Sequence, residues 1–300
     1  MNMEEKWLAV LDPLAGLNPE TDTTLAIIET ARRRGIVVAT TTIEELFFDG
    51  APMAWTLGAD GRRERTALDD HALILMRKEP PYDLAFHYAT QLLSLTSAVV
   101  VNEPSALRDF NEKLIALRFA EYMPPTMVAS DPALLAEFVA GHGACVLKAL
   151  DSFQGRSVER IETPDDERLS LFTGDGKYPA MVQSFLEDVY EGDKRVLLLG
   201  DQFLGAALRR PRQGFHASFA RSEAISCGLS QTEQQIVDRV GPWLVDHGIH
   251  FAGLDFIGER LTEINITCPT GIKQIGRLDH RDLAAEIVDY LSVLSVRAGS

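Results

Sequence analysis

The sequence predicts an α/β protein, with a parallel α/β first third and a remainder that turns to hairpins in an α+β pattern. Three observations carry that expectation. Short runs of Val, Ile and Leu alternate with helical stretches between residues 7 and 102, as parallel strands covered on both faces do. The run KRVLLLGDQFLGAALRR from Lys194 reads as two strands about a turn at Gly200, Asp201 and Gln202. A second pair, GLDFIGERLTEIN (253–265), sets two apolar runs about Glu259 and Arg260.

Taken in order, WLAVLD (7–12) reads as a buried strand and 21–34 as a helix closed by Gly35. The cluster Arg32, Arg33 and Arg34 meets the carboxyl end of that helix dipole and needs no nucleic acid to explain it. IVVATT (36–41), ALILMR (72–77) and AVVVN (98–102) are further strands, with a helix over 86–95. Ligand groups gather at the carboxyl ends of such strands. Asp12 with its loop DPLAGLNPETDT, and Arg77 with the following KEPP, stand at two of those ends; ordinary Pro/Gly turn chemistry is the competing reading of each.

Beyond residue 125 the pattern gives a helix over 132–142, a strand ACVLKAL (144–150), a turn DSFQGRS and a strand MVQSFLED (181–188). Residues 213–231 are polar and unpatterned, which predicts a mobile active-site loop. Helices over 232–247 and 281–296 complete the chain, the last on the outside. His142, His247 and His250 fall near helix ends and turns and read as surface or capping residues, Cys145 as buried and inert, and 163–167 as a solvated acidic loop.

With 300 residues, 46% of them hydrophobic, the chain can bury the cores of two or three domains. A formal net charge of −15 argues against a nucleic-acid groove or affinity for anionic membranes. It leaves room for a local basic pocket. The acidic start MNMEEKWLAV resembles neither a signal nor a transit peptide, and no apolar run is long enough to span a membrane. Cys145, Cys227 and Cys268 form no C-x-x-C pair, which points to a reducing, cytoplasmic setting rather than a disulfide frame.

The 253–265 pair carries the sharpest chemistry. Asp255 projects from its first strand, and Glu263 and Asn265, two residues apart, share one face of its second. Two carboxylates and a carboxamide offer the hard oxygens that suit Mg²⁺ bound with phosphates; a solvated polar face is the alternative. Lys148, inside an apolar strand, must bury its stem and find an anion, either a phosphate or a carboxylate. Lys113 opens a predicted helix, and Arg195 can reach the same centre. Together they can neutralise a triphosphate. Neither a G-x-x-x-x-G-K-[ST] loop nor a G-x-G-x-x-G fingerprint is present.

Along nearly its whole length the chain resembles bacterial glutathione synthetase, of the ATP-grasp superfamily. The matching segments are VLDPLAGLNPETDTT, ILMRKEPPYD, VNEPSALRDFNEKL, VLKALD, GDKRVLL and FAGLDFIGERLTEINITCPT. The resemblance implies an N-terminal α/β substrate domain (1–112), a central ATP-grasp lid (113–188) and a C-terminal ATP-grasp domain with the metal site (189–300). It implies that a carboxylate is activated by ATP as an acyl phosphate and attacked by an amine. Lys113, Lys148, the segment Gln183, Ser184, Phe185 and Leu186, and Asp193 are the implied ATP side. Arg195 is the implied phosphate-side arginine and Arg221 the one facing the acceptor. Asp255, Glu263 and Asn265 are the implied ligands of Mg²⁺, or of Mn²⁺ in its place. Asp12, Arg77, Asn265, Thr267, Cys268 and Thr270 are the implied side of an amino-acid or dipeptide substrate, with Cys268 where the family commonly has serine. A homo-oligomer, dimer or tetramer, is also implied.

Two departures lie in the parts that close over the reaction. The glycine-rich DGMGG turn of the family's lid is here DSFQG, which predicts a stiffer or reshaped lid. The family's glycine-rich run with R-G-N and G-G-R-G elements is here QGFHASFARSEAISCGLS, in which His216 or Ser218 stands near the asparagine position. Three functions follow: glutathione synthetase proper, the same ligase or cyclase chemistry on another substrate, and a nucleotide-binding protein without catalysis. Retention of all three metal ligands and both lysines disfavours the last.

Overall fold

The computed structural model describes residues 5–151, 158–219 and 222–298. The expected lid turn at 152–155 and Arg221 lie outside the described residues. The first third runs β1 (Lys6–Val10), α1 (Thr23–Arg33), β2 (Val37–Thr41), β3 (Leu46–Phe48), β4 (Pro52–Leu57), β5 (Arg63–Ala67), β6 (Leu73–Met76), α2 (Leu84–Leu93), β7 (Val99–Val101) and α3 (Pro104–Asp109). Its sheet has the order β3-β4-β2-β1-β6-β7, with β5 also paired to β4. β2, β1, β6 and β7 are parallel as expected. The β3–β5 extension is antiparallel and was not foreseen. Its connections span only 49–51 and 58–62, too short for the crossover that parallel pairing requires. Each carries a glycine at positive φ, Gly50 and Gly61. Helix α1 starts where the Asp22 side chain accepts the Leu25 N–H at 2.7 Å and stops before Gly35 at φ +83°.

The middle of the chain supplies β8 (Thr126–Ala129), α4 (Pro132–His142), β9 (Cys145–Ala149), β10 (Val158–Ile161), α5 (Arg168–Thr173) and β11 (Ala180–Ser184). The strands form an antiparallel sheet of order β10-β9-β11-β8. Leu135, Phe138, Cys145, Leu147 and Val182 build its separate small core. His142 closes α4, its ring bonded to the Phe138 carbonyl and stacked on the Phe138 ring.

The last part runs β12 (Asp193–Leu199), β13 (Gln202–Pro211), β14 (Ser222–Ser226), α6 (Gln231–Asp246), β15 (Phe251–Ile257), β16 (Arg260–Asn265), α7 (Ile272–Asp279) and α8 (Leu283–Ala298). Its antiparallel sheet has the order β14-β13-β12-β15-β16. Both predicted hairpins are present, the second turning at Gly258 (φ +58°) and Glu259, one residue earlier than expected. The 213–231 stretch is not wholly a loop, because β14 pairs with β13 within it. Helix α7 escapes sequence reasoning, being eight residues long and uncapped by any side chain.

The first and last sheets share their apolar clusters. One joins Leu8 and Phe86 to Val196, Leu254 and Phe256; the other joins Trp7 and Ile27 to Leu197, Ile275 and Leu291. Buried Asn102 ties them in polar terms. Its carboxamide oxygen accepts the His250 and Phe251 N–H groups, and its nitrogen donates to the Phe251 and Ile266 carbonyls. His250, expected at the surface, is half-buried and bonded to the Tyr290 hydroxyl. No described helix is long and apolar enough to cross a membrane.

Candidate functional site

A cavity of about 600 Å³ opens between the four-stranded and five-stranded sheets, closed at one end by the loop after β1 and covered by residues 215–219. Its character changes along its length. At the end under the four-stranded sheet, Val146, Val158, Phe185, Leu186, Val189 and Ile257 make an apolar slot. Gln183, Ser184, Phe185 and Leu186 run along it. The buried Ser184 hydroxyl oxygen there has no hydrogen-bond partner among the described residues. An apolar slot with an unpaired polar handle suits a flat heteroaromatic ring.

Two lysines stand next. The Lys148 ammonium donates to the Gln183 amide oxygen at 2.9 Å, and the Gln183 nitrogen donates in turn to the Thr126 hydroxyl at 2.9 Å. Burial pulls the Lys148 pKa below its ordinary value, neighbouring Lys113 lowers it further, and the Glu263 charge opposes both. Lys113, 4% exposed, lies 3.7 Å from Glu263 Oε1. It sits in a turn before the 3-10 segment Ile115–Tyr122 and not inside a helix. The Glu263 carboxylate thus acts on both cations.

The charged centre is written by strand register. Arg195 lies opposite Asp255, Asp193 opposite Arg209, Asp255 opposite Glu263, and Gly253 opposite Asn265. Period-two alternation puts all these side chains on the same face. Arg195 holds Asp255 through two bonds, Nε to Oδ1 at 2.5 Å and Nη2 to Oδ2 at 2.9 Å. Arg209 Nη2 reaches Asp193 Oδ1 at 2.7 Å and Asp255 Oδ1 at 3.1 Å, and the Asn265 amide donates to Asp255 Oδ2 at 3.2 Å. Gly253 leaves the room for this, since a Cβ there would come within 3.1 Å of the Arg195 side chain.

Burial opposes the Asp255 charge, but Arg195 and then Arg209 outweigh it and hold the carboxyl down at about 2. Asp193 goes the other way. Burial and the Asp255 charge push it up to about 6 against the pull of Arg209. Two neighbouring carboxylates thus share the two guanidiniums unequally.

At the far end the segment after β16 is pinned from behind. Glu112 Oε1 accepts the Ile266 and Thr267 N–H groups and the Thr267 hydroxyl, at 2.8 to 2.9 Å. Thr267, Cys268 and Thr270 face the cavity. Burial pushes the Cys268 thiol up to about 12, and it donates to the Arg77 carbonyl. Asp12 and Arg77 do not line the cavity. Arg77 is 4% exposed, with Nε on the Thr24 hydroxyl and Nη2 on the Pro269 carbonyl, so it braces the segment from below. Asp12 is spent on the Lys78 ammonium and the Glu79 N–H. His216 and Ser218 do face the cavity.

Sequence reasoning missed Arg209, Glu112, Phe215, Phe219 and Gln274, all on the cavity wall. Arg209 could have been found by the argument used for Lys148: it is a charge in the apolar strand FLGAALRR. Phe219 and Gln274 carried no local signal.

Comparison with known proteins identifies the family. The prokaryotic glutathione synthetase N-terminal domain matches residues 6–108, and the prokaryotic glutathione synthetase ATP-grasp domain matches 112–280. The glutathione synthetase of Parasynechococcus marenigrum is 41% identical, covering 96% of this chain and 99% of its own. That of Synechocystis is 35% identical, with 94% and 97% covered. Among solved structures, D-cycloserine synthetase DcsG superposes with a TM-score of 0.69 at 13% identity, over 97% of this chain and 99% of its own. The ATP-grasp ligase PsnB, complexed with precursor peptide PsnA2 and AMPPNP, gives 0.65 at 17% identity, over 97% and 98%. These two share the fold.

Proposed function

The chain belongs to the prokaryotic glutathione synthetase family and is a glutathione synthetase-like, ATP-dependent C–N ligase, and we propose that it joins γ-glutamylcysteine to glycine. The observation that supports the reading most is the meeting of Lys113, Lys148, Arg195 and Arg209 with Asp255, Glu263 and Asn265 around one cavity, beside an apolar slot. Four cations and three oxygen ligands can orient a triphosphate and carry its charge during transfer.

In this mechanism the adenine lies in the slot along Gln183, Ser184, Phe185 and Leu186, and the phosphates extend past Lys148 and Lys113. The dipeptide carboxylate, held near Thr267, Cys268 and Thr270, attacks the γ-phosphorus, and the bond to the ADP oxygen breaks. The glycine amine then attacks the acyl carbon, phosphate leaves with the electron pair of the C–O bond, and the amine gives up a proton. Arg195 and Arg209 stabilise the phosphoryl oxygens in both steps.

The donor set fits a hard divalent cation, Mg²⁺ or Mn²⁺, which when bound supplies charge neutralisation at the phosphates. Glu263 and the Asn265 oxygen can serve at once. Asp255 already accepts two bonds on each oxygen, from Arg195, Arg209 and Asn265. It would be freed to hold the cation where the guanidiniums turned to the nucleotide phosphates, which would couple the binding of the two. Three free cysteines agree with a cytoplasmic enzyme of small substrates, and we extend the family likeness to a homo-oligomer.

The test is phosphate release from Mg·ATP with γ-glutamylcysteine, with and without glycine, with the product read by mass spectrometry. Release that needs both, with glutathione formed, is expected. Release with a different amine in place of glycine would move the chain to the second reading, the same chemistry on another acceptor. Such a change would act through the loop at 215–219, which is FHASF here where the family carries glycines.

A further inference from the structure

The loop over the cavity is held at both ends by rings. Phe215 meets the edge of Phe185 in the apolar slot, with centroids 5.7 Å apart. Phe219 meets the five-stranded sheet and the start of α7. Its ring centroid lies 5.7 Å from the Arg209 guanidinium carbon, and it packs into the cluster of Ile275 and Leu283. The backbone just before it is fixed, because Ser222 donates its N–H to the Ser218 carbonyl at 2.9 Å and accepts the Ser218 N–H on its hydroxyl at 3.1 Å. The ring is therefore a positioned wall and not a free side chain.

What it faces matters more. A Cβ placed on Gly271 would come within 2.5 Å of Phe219 Cε2 and 2.8 Å of Cζ. No space for even a methyl group remains between the ring and the backbone that follows Thr270. Arg209 marks the phosphate side of this junction, and Thr267 to Thr270 mark the carboxylate side. In the reading above, the acyl phosphate forms between those two, so an incoming amine has to pass the ring.

We propose that Phe219 determines the size of the acceptor by occupying the volume into which the side chain of an α-amino acid would project. The inference rests on the ligase reading and deepens it: the acceptor is an amino acid without a β-carbon, for which the ring costs nothing. A Cβ brought against a fixed aromatic edge must displace it, and one methylene-sized misfit in an apolar pocket is worth about 10-fold to 200-fold in discrimination. Phe219 touches no group undergoing bond change in this scheme; it acts by shape.

The experiment measures kcat/KM for glycine, alanine and 2-aminobutyrate with γ-glutamylcysteine and Mg·ATP. It uses the wild type, Phe219→Ala and Phe219→Leu, together with the affinity of each for a non-hydrolysable ATP analogue. The glycine-to-alanine ratio should fall by about tenfold or more in Phe219→Ala, and less in Phe219→Leu, with analogue affinity kept within about twofold. Should Phe219→Ala not fold, Phe219→Leu carries the test by the same ratio. An unchanged ratio in the folded variants overturns the inference. So does a wild type that takes alanine as readily as glycine, while leaving the ligase reading intact. A wild type that turns over with none of the three amines overturns both.

Discussion

The floor and the roof of the cavity are built on different principles. The floor is the charged face of β13, β12, β15 and β16, where each functional side chain is placed by backbone register and paired with another. The roof, residues 215–219, has no ladder of its own, and the contacts that hold it include the rings of Phe215 and Phe219 and the hydroxyl of Ser222. A register cannot slip by one residue without moving every side chain to the other face. A ring contact can be lost alone. Floor and roof should therefore fail differently, the floor in stability and chemistry, the roof in affinity and selectivity.

The most severe loss is expected at Arg209. Arg209→Met leaves Asp193, whose side chain is only 16% exposed, without its partner, and breaking a buried pair costs about 3–5 kcal/mol. Denaturant unfolding should show a lower midpoint with an unchanged slope; wild-type stability would mean that the floor is not held by this pair. Next is Glu263→Gln, which keeps volume and removes charge from the oxygen set. Turnover should fall about 10²-fold to 10³-fold with the unfolding curve unmoved, and normal phosphate release would remove Glu263 from the site.

A third expectation concerns Asp255, whose acceptor capacity is filled by Arg195, Arg209 and Asn265. Mn²⁺ titrated by electron paramagnetic resonance should bind at least about tenfold more tightly with a non-hydrolysable ATP analogue present, a coupling of about 1.4 kcal/mol. Equal affinity with and without the analogue would show that the arginines do not gate the carboxylate. The smallest effect belongs to the roof. Phe215→Ala removes one aromatic contact worth about 0.5–1.5 kcal/mol, so the KM for ATP should rise between about twofold and tenfold at constant stability. A Phe215→Ala protein that unfolds early would erase the distinction between floor and roof.

Legibility followed the same division. Asp255, Glu263 and Asn265 could be placed on one face because strand periodicity is local and the two runs are adjacent in the chain. Lys148 was also readable, since a charge inside an apolar strand calls for a partner, whereas the segment Gln183 to Leu186 rested on the family resemblance. The short β3–β5 extension was not, being built from connections of a few residues that leave no periodic signal. Arg77 and Asp12 were rightly expected at strand ends, but the end of a strand does not say which way a side chain turns. Arg77 turned inward to Thr24 and the Pro269 carbonyl, 192 residues away in the chain.

By itself, then, the sequence determined the strand and helix alternation, the hairpins, and which groups share a sheet face, because all of these depend on residues within a few positions of one another. Only the tertiary structure decided that Arg209 and Arg195 divide between Asp193 and Asp255, and that Glu112 fixes the segment after β16. Only it set Phe219 against Gly271. Those choices rest on contacts between residues 16 to 155 positions apart, and distances of that kind are fixed by how the sheets pack, not by any local preference of the chain.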